Sequence, residues 1–453
     1  MTTQLTLASD IKGWRNVRPI DRLFAGLAEG IALLTVLVML ADIPKIGYFP
    51  VSPRFFLMPL ALFLIFMTDN TPFRMAFREL PLALVAFLGL VLVVGVLEAS
   101  IRGPVMFVEG LAAFAVVFGL VSRTPGTALR MTRALALFYT ASSAWMILST
   151  LVSGPFPTMR AFLYAGHMGR FAGEELLIAY PTGLTFAHFI MGYQLSVGMV
   201  LALLLVYAEK GLWKLLWLAC SPILMAAVIL SGQRSVIPAI TIALAIFFIH
   251  TWRMRVALLL VFIAGLGFWF IQKMDISYIN VEMIPIKLEK DDYYSRISWQ
   301  LAALGIIAQS PSGNVFGEIN WEQEALDHGA DFDIYEGKVK AVHNAYLGNA
   351  LQYGWLGAAL VLMTVWHICR RLLGRVLDQA YSRCPSQPYA LICVLALISV
   401  MIQALFHNAN LFTLEPSTWI IFSVASAWVW LIRREKRAGC ERSYLDHGPA
   451  RTA

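Results

Sequence analysis

The stretch SVGMVLALLLVYAEKGLWKLLWLACSPILMAAVILSGQRSVIPAITIALAIFFIH, residues 196–250, decides the class of fold. Three apolar runs are interrupted by Glu209 and Lys210 at the first break and by Arg234 at the second, and Lys214 is the only other charge. A bilayer core asks for about 20 apolar residues per helical span. Backbone groups in lipid must be paired within a helix or a closed barrel. The runs are continuous and do not alternate, so they read as helices and exclude a barrel.

The same pattern extends in both directions. Of 453 residues, 59% are hydrophobic and 14% charged, with a mean hydropathy of +0.69; a soluble domain carries about 25% charge. The runs predict an all-α polytopic membrane protein with about twelve spans. They lie near 23–41, 52–68, 81–97, 104–121, 134–152, 183–207, 213–230, 236–250, 256–272, 345–367, 389–409 and 416–432. The run 236–250 is short and calls for thinned lipid or protein contact. Residues 1–22 are polar and basic, and 23–41 is long enough to remain as an anchor. Residues 1–453 form one membrane domain, with no internal repeat and no second soluble domain.

Arginine and lysine placement sets the orientation. With the N-terminus inside, every inner segment is basic, from Arg15 and Arg18 through Arg74 and Arg78, Arg130 and Arg133, Lys210, Arg253, Arg370 and Arg371 to Arg433 and Arg434. Both termini are therefore expected inside, with 433–453 as a cytoplasmic tail. The net charge of +7 then reflects topology and implies no nucleic-acid partner. Cys220, Cys369, Cys384, Cys393 and Cys440 all fall in spans or inner segments, which leaves disulfides out of the design.

Two outer loops are long, 153–182 and 273–344, and long loops on a rigid scaffold are where function concentrates. Within the second, Ile297, Leu301, Leu304 and Ala308 form one helical stripe over 293–310. This predicts a helix lying at the outer membrane–water boundary. Pro311-Ser-Gly and Gly317 break it.

Four polar features stand out on the outer side. Arg234 sits in the tight SGQRS hairpin (231–235), where it would bind a phosphate through two parallel hydrogen bonds or snorkel to a lipid headgroup. Arg170 in HMGRFAGEE (167–175) is either a site residue or a surface arginine paired with Glu174 or Glu175. Arg296 belongs to the boundary helix, as an anchor or a site residue. His343-Asn344 opens the next span: the imidazole suits a general base, while either side chain also suits a helix cap. Asn344 would orient the histidine or hydrogen-bond a sugar. A second pair, His407-Asn408, either faces the first across the site or terminates a helix. Asp331-Phe-Asp333 has the form of a metal-binding Asp-x-Asp, which an acidic loop produces by chance, so no metal and no cofactor are expected. Glu29 and Glu109 within spans are read as pairing across helices.

In order, SGQRS (231–235), Arg296 to Trp299, Pro311 and Gly317, HNAYL (343–347) and QYGWLG (352–357) resemble the O-antigen ligase and polymerase family. Arg170 with PTGL (181–184) is similar to that family's upstream arginine and proline element. The resemblance covers 170–357. Gln233 stands where a small residue is usual, and Thr182 where asparagine is frequent. It implies a GT-C-like fold in the bacterial inner membrane with its site facing the periplasm. The implied donor is an undecaprenyl diphosphate-linked glycan, and the acceptor is lipid A-core or another lipid-linked glycan. Arg170, Arg234 and Arg296 would hold the diphosphate, and His343 would be the base, with Asn344, Tyr346 and His407 in support. Ligase is preferred over polymerase by the compact hairpin and the HNAYL motif. A lipid-linked glycan flippase or secondary transporter also fits the span count, but would put its charges at mid-membrane. A non-catalytic scaffold would leave the one-sided arginines unexplained.

Overall fold

The computed structural model describes residues 19–41, 52–68, 71–98, 102–151, 183–185, 188–231, 233, 235–251, 254–256, 258–259, 262, 265, 278–281, 284–287, 292–316, 319–331, 342–382, 384–407, 411–412 and 416–446. It is a helical bundle. In chain order the helices are α1 (Pro19–Leu40), α2 (Arg54–Thr68), α3 (Thr71–Glu79), α4 (Leu82–Leu97), α5 (Arg102–Val121), α6 (Pro125–Leu151), α7 (His188–Ala208), α8 (Gly211–Ser231) and α9 (Val236–His250). After them come α10 (Asp292–Gln309), α11 (Trp321–Asp327), α12 (Ala345–Ile368), α13 (Gln387–Gln403) and α14 (Pro416–Asp446).

Three helical stretches are long and apolar enough to cross a membrane, Ile190–Ala208, Gly211–Ser231 and Ala345–Leu377. Shorter apolar helices accompany them, among them α2, α4, α9 and α13. The centre is built from α7, α13 and the first half of α14: α13 packs on α7, α9 and α14, and α7 also packs on α6 and α8. Their composition explains this position, because α13 is apolar around its whole circumference and buries residues on every side, from Tyr389 to Met401. The outer helices instead leave large apolar side chains uncovered, such as Phe56, Leu82, Val96, Leu362 and Trp366. Water-facing proteins rarely expose apolar surface on this scale.

Several boundaries differ from the sequence expectation. The span expected at 389–409 ends at Gln403, because Ala404, Leu405 and Phe406 tighten into turns. The span expected at 416–432 continues to Asp446, so the expected tail 433–453 begins inside a helix. The span at 134–152 starts earlier, at Pro125, which puts Arg130 and Arg133 on a helix. The helix predicted over 345–367 runs on through a π turn, Cys369–Leu373, into Gly374–Leu377. Most of the run 256–272 and all of 1–18 and of the loop 153–182 lie outside the described residues.

The expected all-α fold also gains a two-stranded antiparallel hairpin, β1 (Tyr278–Val281) with β2 (Ile284–Lys287), inside the loop 273–344. The described residues within 292–331 of that loop make a small subdomain. Trp299, Ala302 and Ile306 of α10 bury against Ala325 and Ala330, with Leu351 of α12 packed beneath. Ile297, Leu301, Leu304 and Ala308 form the uncovered face of α10, so the expected stripe is the outward one.

The Pro311–Gly313 turn docks onto α12 at Gly354, whose φ of 66° interrupts the helix. Trp355 donates its backbone N–H to Pro311 O at 2.9 Å, replacing a bond the interrupted helix lacks. A β-carbon on Gly354 would lie 2.4 Å from Pro311 O.

Candidate functional site

Polar contacts between helices gather at the two ends of the bundle. At one end Arg130 pairs with Glu29 (2.6 Å), Arg133 with Glu209 (2.7 Å), and Glu79 with Arg371 and Arg433. There Ser386 also donates to Glu435. At the other end Arg54 pairs with Glu109 at 2.8 Å and Gln352 donates to Glu98 at 3.2 Å. Glu29 and Glu109 do pair across helices, each with an arginine. The described residues of the motifs read from the sequence lie at the second end.

His343 precedes α12, and its ring lies 5.5 Å from that of Trp299, tilted by 33°. Trp299 is wholly buried, and its indole N–H donates to Asp331 O at 2.6 Å. Asp331 N–H in turn donates to Ser298 Oγ at 3.0 Å. The histidine is thus held against a fixed aromatic face and is itself half-buried. Arg296 is on the same helix, one turn before Trp299. Of Asp331-Phe-Asp333 only Asp331 is described.

Asn344 is the N-cap of α12. Its Oδ1 accepts from Tyr346 N–H at 3.0 Å and Leu347 N–H at 3.2 Å. That oxygen is engaged by the helix start. Tyr346 donates from its hydroxyl to Met401 O at 3.0 Å, and Ala345 N–H donates to Ala404 O at 2.8 Å. Both bonds tie the HNAYL segment to the C-terminal turn of α13.

The same turn holds the SGQRS hairpin. Gln403 donates from Nε2 to Ser235 Oγ at 2.9 Å, with a longer approach to Gln233 Oε1 at 3.4 Å. His407 Nε2 lies 3.0 Å from Ser235 Oγ. An amide N–H can only donate, so the Ser235 hydroxyl accepts from Gln403 and has its own hydrogen to give to His407. Ser235 stands at the N-cap of α9 yet makes no side-chain cap bond there, because its hydroxyl is turned toward α13. His407 therefore braces the hairpin from beside it. Arg234 itself, like Arg170, lies outside the described residues, while both its neighbours, Gln233 and Ser235, are fastened.

The first turns of α7 complete the junction. Gln233 and Gln403 lie over Gly192, where an added β-carbon would come within 1.8 Å of Gln233 Oε1. The Gly192 position thus supplies the room that the large Gln233 needs. Leu184, at the end of PTGL, donates its N–H to Ser142 Oγ at 2.9 Å, and Ser142 lies 3.1 Å from Gln194 Oε1. Gln194 also donates to Leu40 O at 2.7 Å. Leu184 of PTGL, Gln233 and Ser235 of SGQRS, and HNAYL, far apart in the chain, are joined through α7 and the end of α13.

Gly192, Ser142, Gln194, Ser235 and Gln403 were missed from sequence, where charge drew the attention. Their signal is neutral: amides and hydroxyls inside apolar runs, which need partners in lipid, with a glycine that makes room for one of them. No protein-family model matches this chain, and no curated protein is significantly similar to it.

Proposed function

We propose that this chain is a membrane glycosyltransferase of the bacterial inner membrane, with about twelve spans, both termini inside, a GT-C-like fold and its site on the periplasmic side. It would move a glycan from undecaprenyl diphosphate to an acceptor hydroxyl, most simply that of lipid A-core. The observation that carries this reading is the junction at one end of the bundle, where Ala345, just after His343, and Ser235, just after Arg234, are fastened to a single turn, at Ala404 by backbone and at Gln403 by side chain. The sorting of polar contacts to two ends supports the alternating topology. The uncovered stripe of α10 supports a lipid surface beneath it.

In this mechanism His343 takes the proton of the acceptor hydroxyl as that oxygen bonds to the anomeric carbon. The opposite bond, from carbon to diphosphate oxygen, breaks with its electron pair leaving on the diphosphate. Arg234 and Arg170 neutralise the growing charge, with Arg296 a weaker candidate for the same task, and guanidinium groups held in place need no reorganisation to do so. A diphosphate leaves without protonation, so one base suffices, and attack from the opposite face inverts the anomeric centre.

Purified protein given lipid-linked oligosaccharide should transfer sugar in excess EDTA. His343→Ala should bind donor with turnover reduced by roughly a hundredfold or more, while Arg234→Ala weakens donor binding. Activity lost on chelation and restored by magnesium would sink the metal-free mechanism. A second reading, polymerase, is favoured by the exposed acids Glu322 and Asp327 on α11, which would repel a phosphorylated core acceptor. Complementation separates the two. A ligase restores capping of the core in a ligase-null strain, and a polymerase restores long chains in a polymerase-null strain.

A further inference from the structure

The end of the bundle opposite His343 holds a cluster that the transfer reaction does not use. Glu79, the last residue of α3, accepts from Arg371 at 2.6 Å and from Arg433 at 3.0 Å, one carboxylate oxygen each. Arg371 lies in the π turn of the α12 extension, and Arg433 on α14. Arg375, one turn beyond Arg371, lies within electrostatic reach of Arg371, Arg433 and Glu79. Its Nη1 is buried and has no hydrogen-bond partner among the described residues. His367 stands on the other flank, with Nε2 3.4 Å from Arg371 Nη1.

The charges do not balance: among the described residues, three guanidinium groups gather around one carboxylate, which pairs with two of them. Drawing like charges together away from water is costly unless an anion completes the set. The cluster is also reachable, since the Arg371 and Arg433 side chains keep 22% and 26% of their exposure. A π turn is an uncommon insertion in a helix and recurs at functional sites. Here it lies between the first and last of the basic groups that α12 contributes.

We propose that Arg371, Arg375 and Arg433 form a binding site for a phosphate oxyanion, with Glu79 holding two of the guanidinium groups in place. Guanidinium forks match phosphate oxygens in geometry and charge. Between membrane helices, such a basic pocket suits the headgroup of an anionic phospholipid. A soluble phosphate presents the same oxygens. The site is independent of the transfer reaction and stands or falls without it.

The test is thermal unfolding of the full chain in zwitterionic detergent, titrated with phosphatidylglycerol, with phosphatidylcholine or with inorganic phosphate. Phosphatidylglycerol should raise the midpoint, and Arg375→Gln should need roughly tenfold more of it for the same rise. Arg370→Gln, an exposed arginine of the same π turn, should respond as the wild type does. A rise with inorganic phosphate alone identifies a soluble phosphate as the occupant, and a rise with phosphatidylglycerol alone identifies the headgroup. If Arg375→Gln does not fold, Arg375→Lys carries the comparison, keeping the charge and losing the fork. Equal responses in the wild type and the Arg375 variant overturn the site. So does an Arg370→Gln loss as large as that at Arg375, or a wild-type response to phosphatidylcholine equal to that to phosphatidylglycerol.

Discussion

His343 and Asn344 are adjacent, and the fold separates their tasks. Asn344 ends the unpaired N–H groups of α12, and the same turn sets His343 against Trp299. Asn344→Ala should cost about 1 kcal/mol of stability through the lost cap, whereas His343→Ala should leave stability nearly unchanged. Thermal unfolding of the two variants checks the division; a destabilised His343→Ala would mark the histidine as structural. Gly192 is the second decisive position. Gly192→Ala should push Gln233 aside and loosen the hairpin, lowering the thermal midpoint and weakening donor binding together. Gln233→Ala in the same chain should restore part of both losses, because it removes the atom the new methyl meets.

Among the elements, α12 departs furthest from its sequence pattern. Its apolar run reads as one helix, yet Gly354 takes a left-handed φ and the Pro311 turn fills the break. Gly354→Ala should destabilise by about 1–3 kcal/mol from the backbone term alone, with more from the clash with Pro311 O. Comparing it with Gly374→Ala, whose β-carbon meets nothing within 4 Å, isolates that effect in thermal unfolding. In α10 the apolar stripe at 297, 301, 304 and 308 was legible, since it follows helical period. That the opposite face would be the one buried, through Trp299 and Ile306, was not, because both faces are apolar and only the neighbours decide between them.

For the whole molecule, the two-ended sorting of ion pairs makes the topology testable. In a chain with its five cysteines replaced by serine, Asp327→Cys on α11 should react with an impermeant maleimide applied from the periplasmic side. Arg434→Cys on α14 should react only after lysis. The reverse pattern would invert the orientation, and the transfer site with it. At this scale the described motif residues gather at one end of the bundle, beside neutral partners such as Gln403. Gln233 looked like a departure from a small residue. It is accommodated because α7 offers a glycine opposite, and that compensation lies 41 residues earlier in the chain.

By itself the sequence determined the helical class, the approximate course of most of the helices and the short list of polar groups worth suspecting. Those properties follow from local chemistry: an apolar run, a charge beside it, a histidine before a helix. Only the tertiary structure decided which suspects meet. It ended α13 at Gln403 and broke α12 at Gly354, and it turned Ser235 away from its own helix toward Gln403 and His407. Such outcomes depend on atoms brought together from distant parts of the chain. A polar side chain in a crowded interior takes whichever partner the packing supplies.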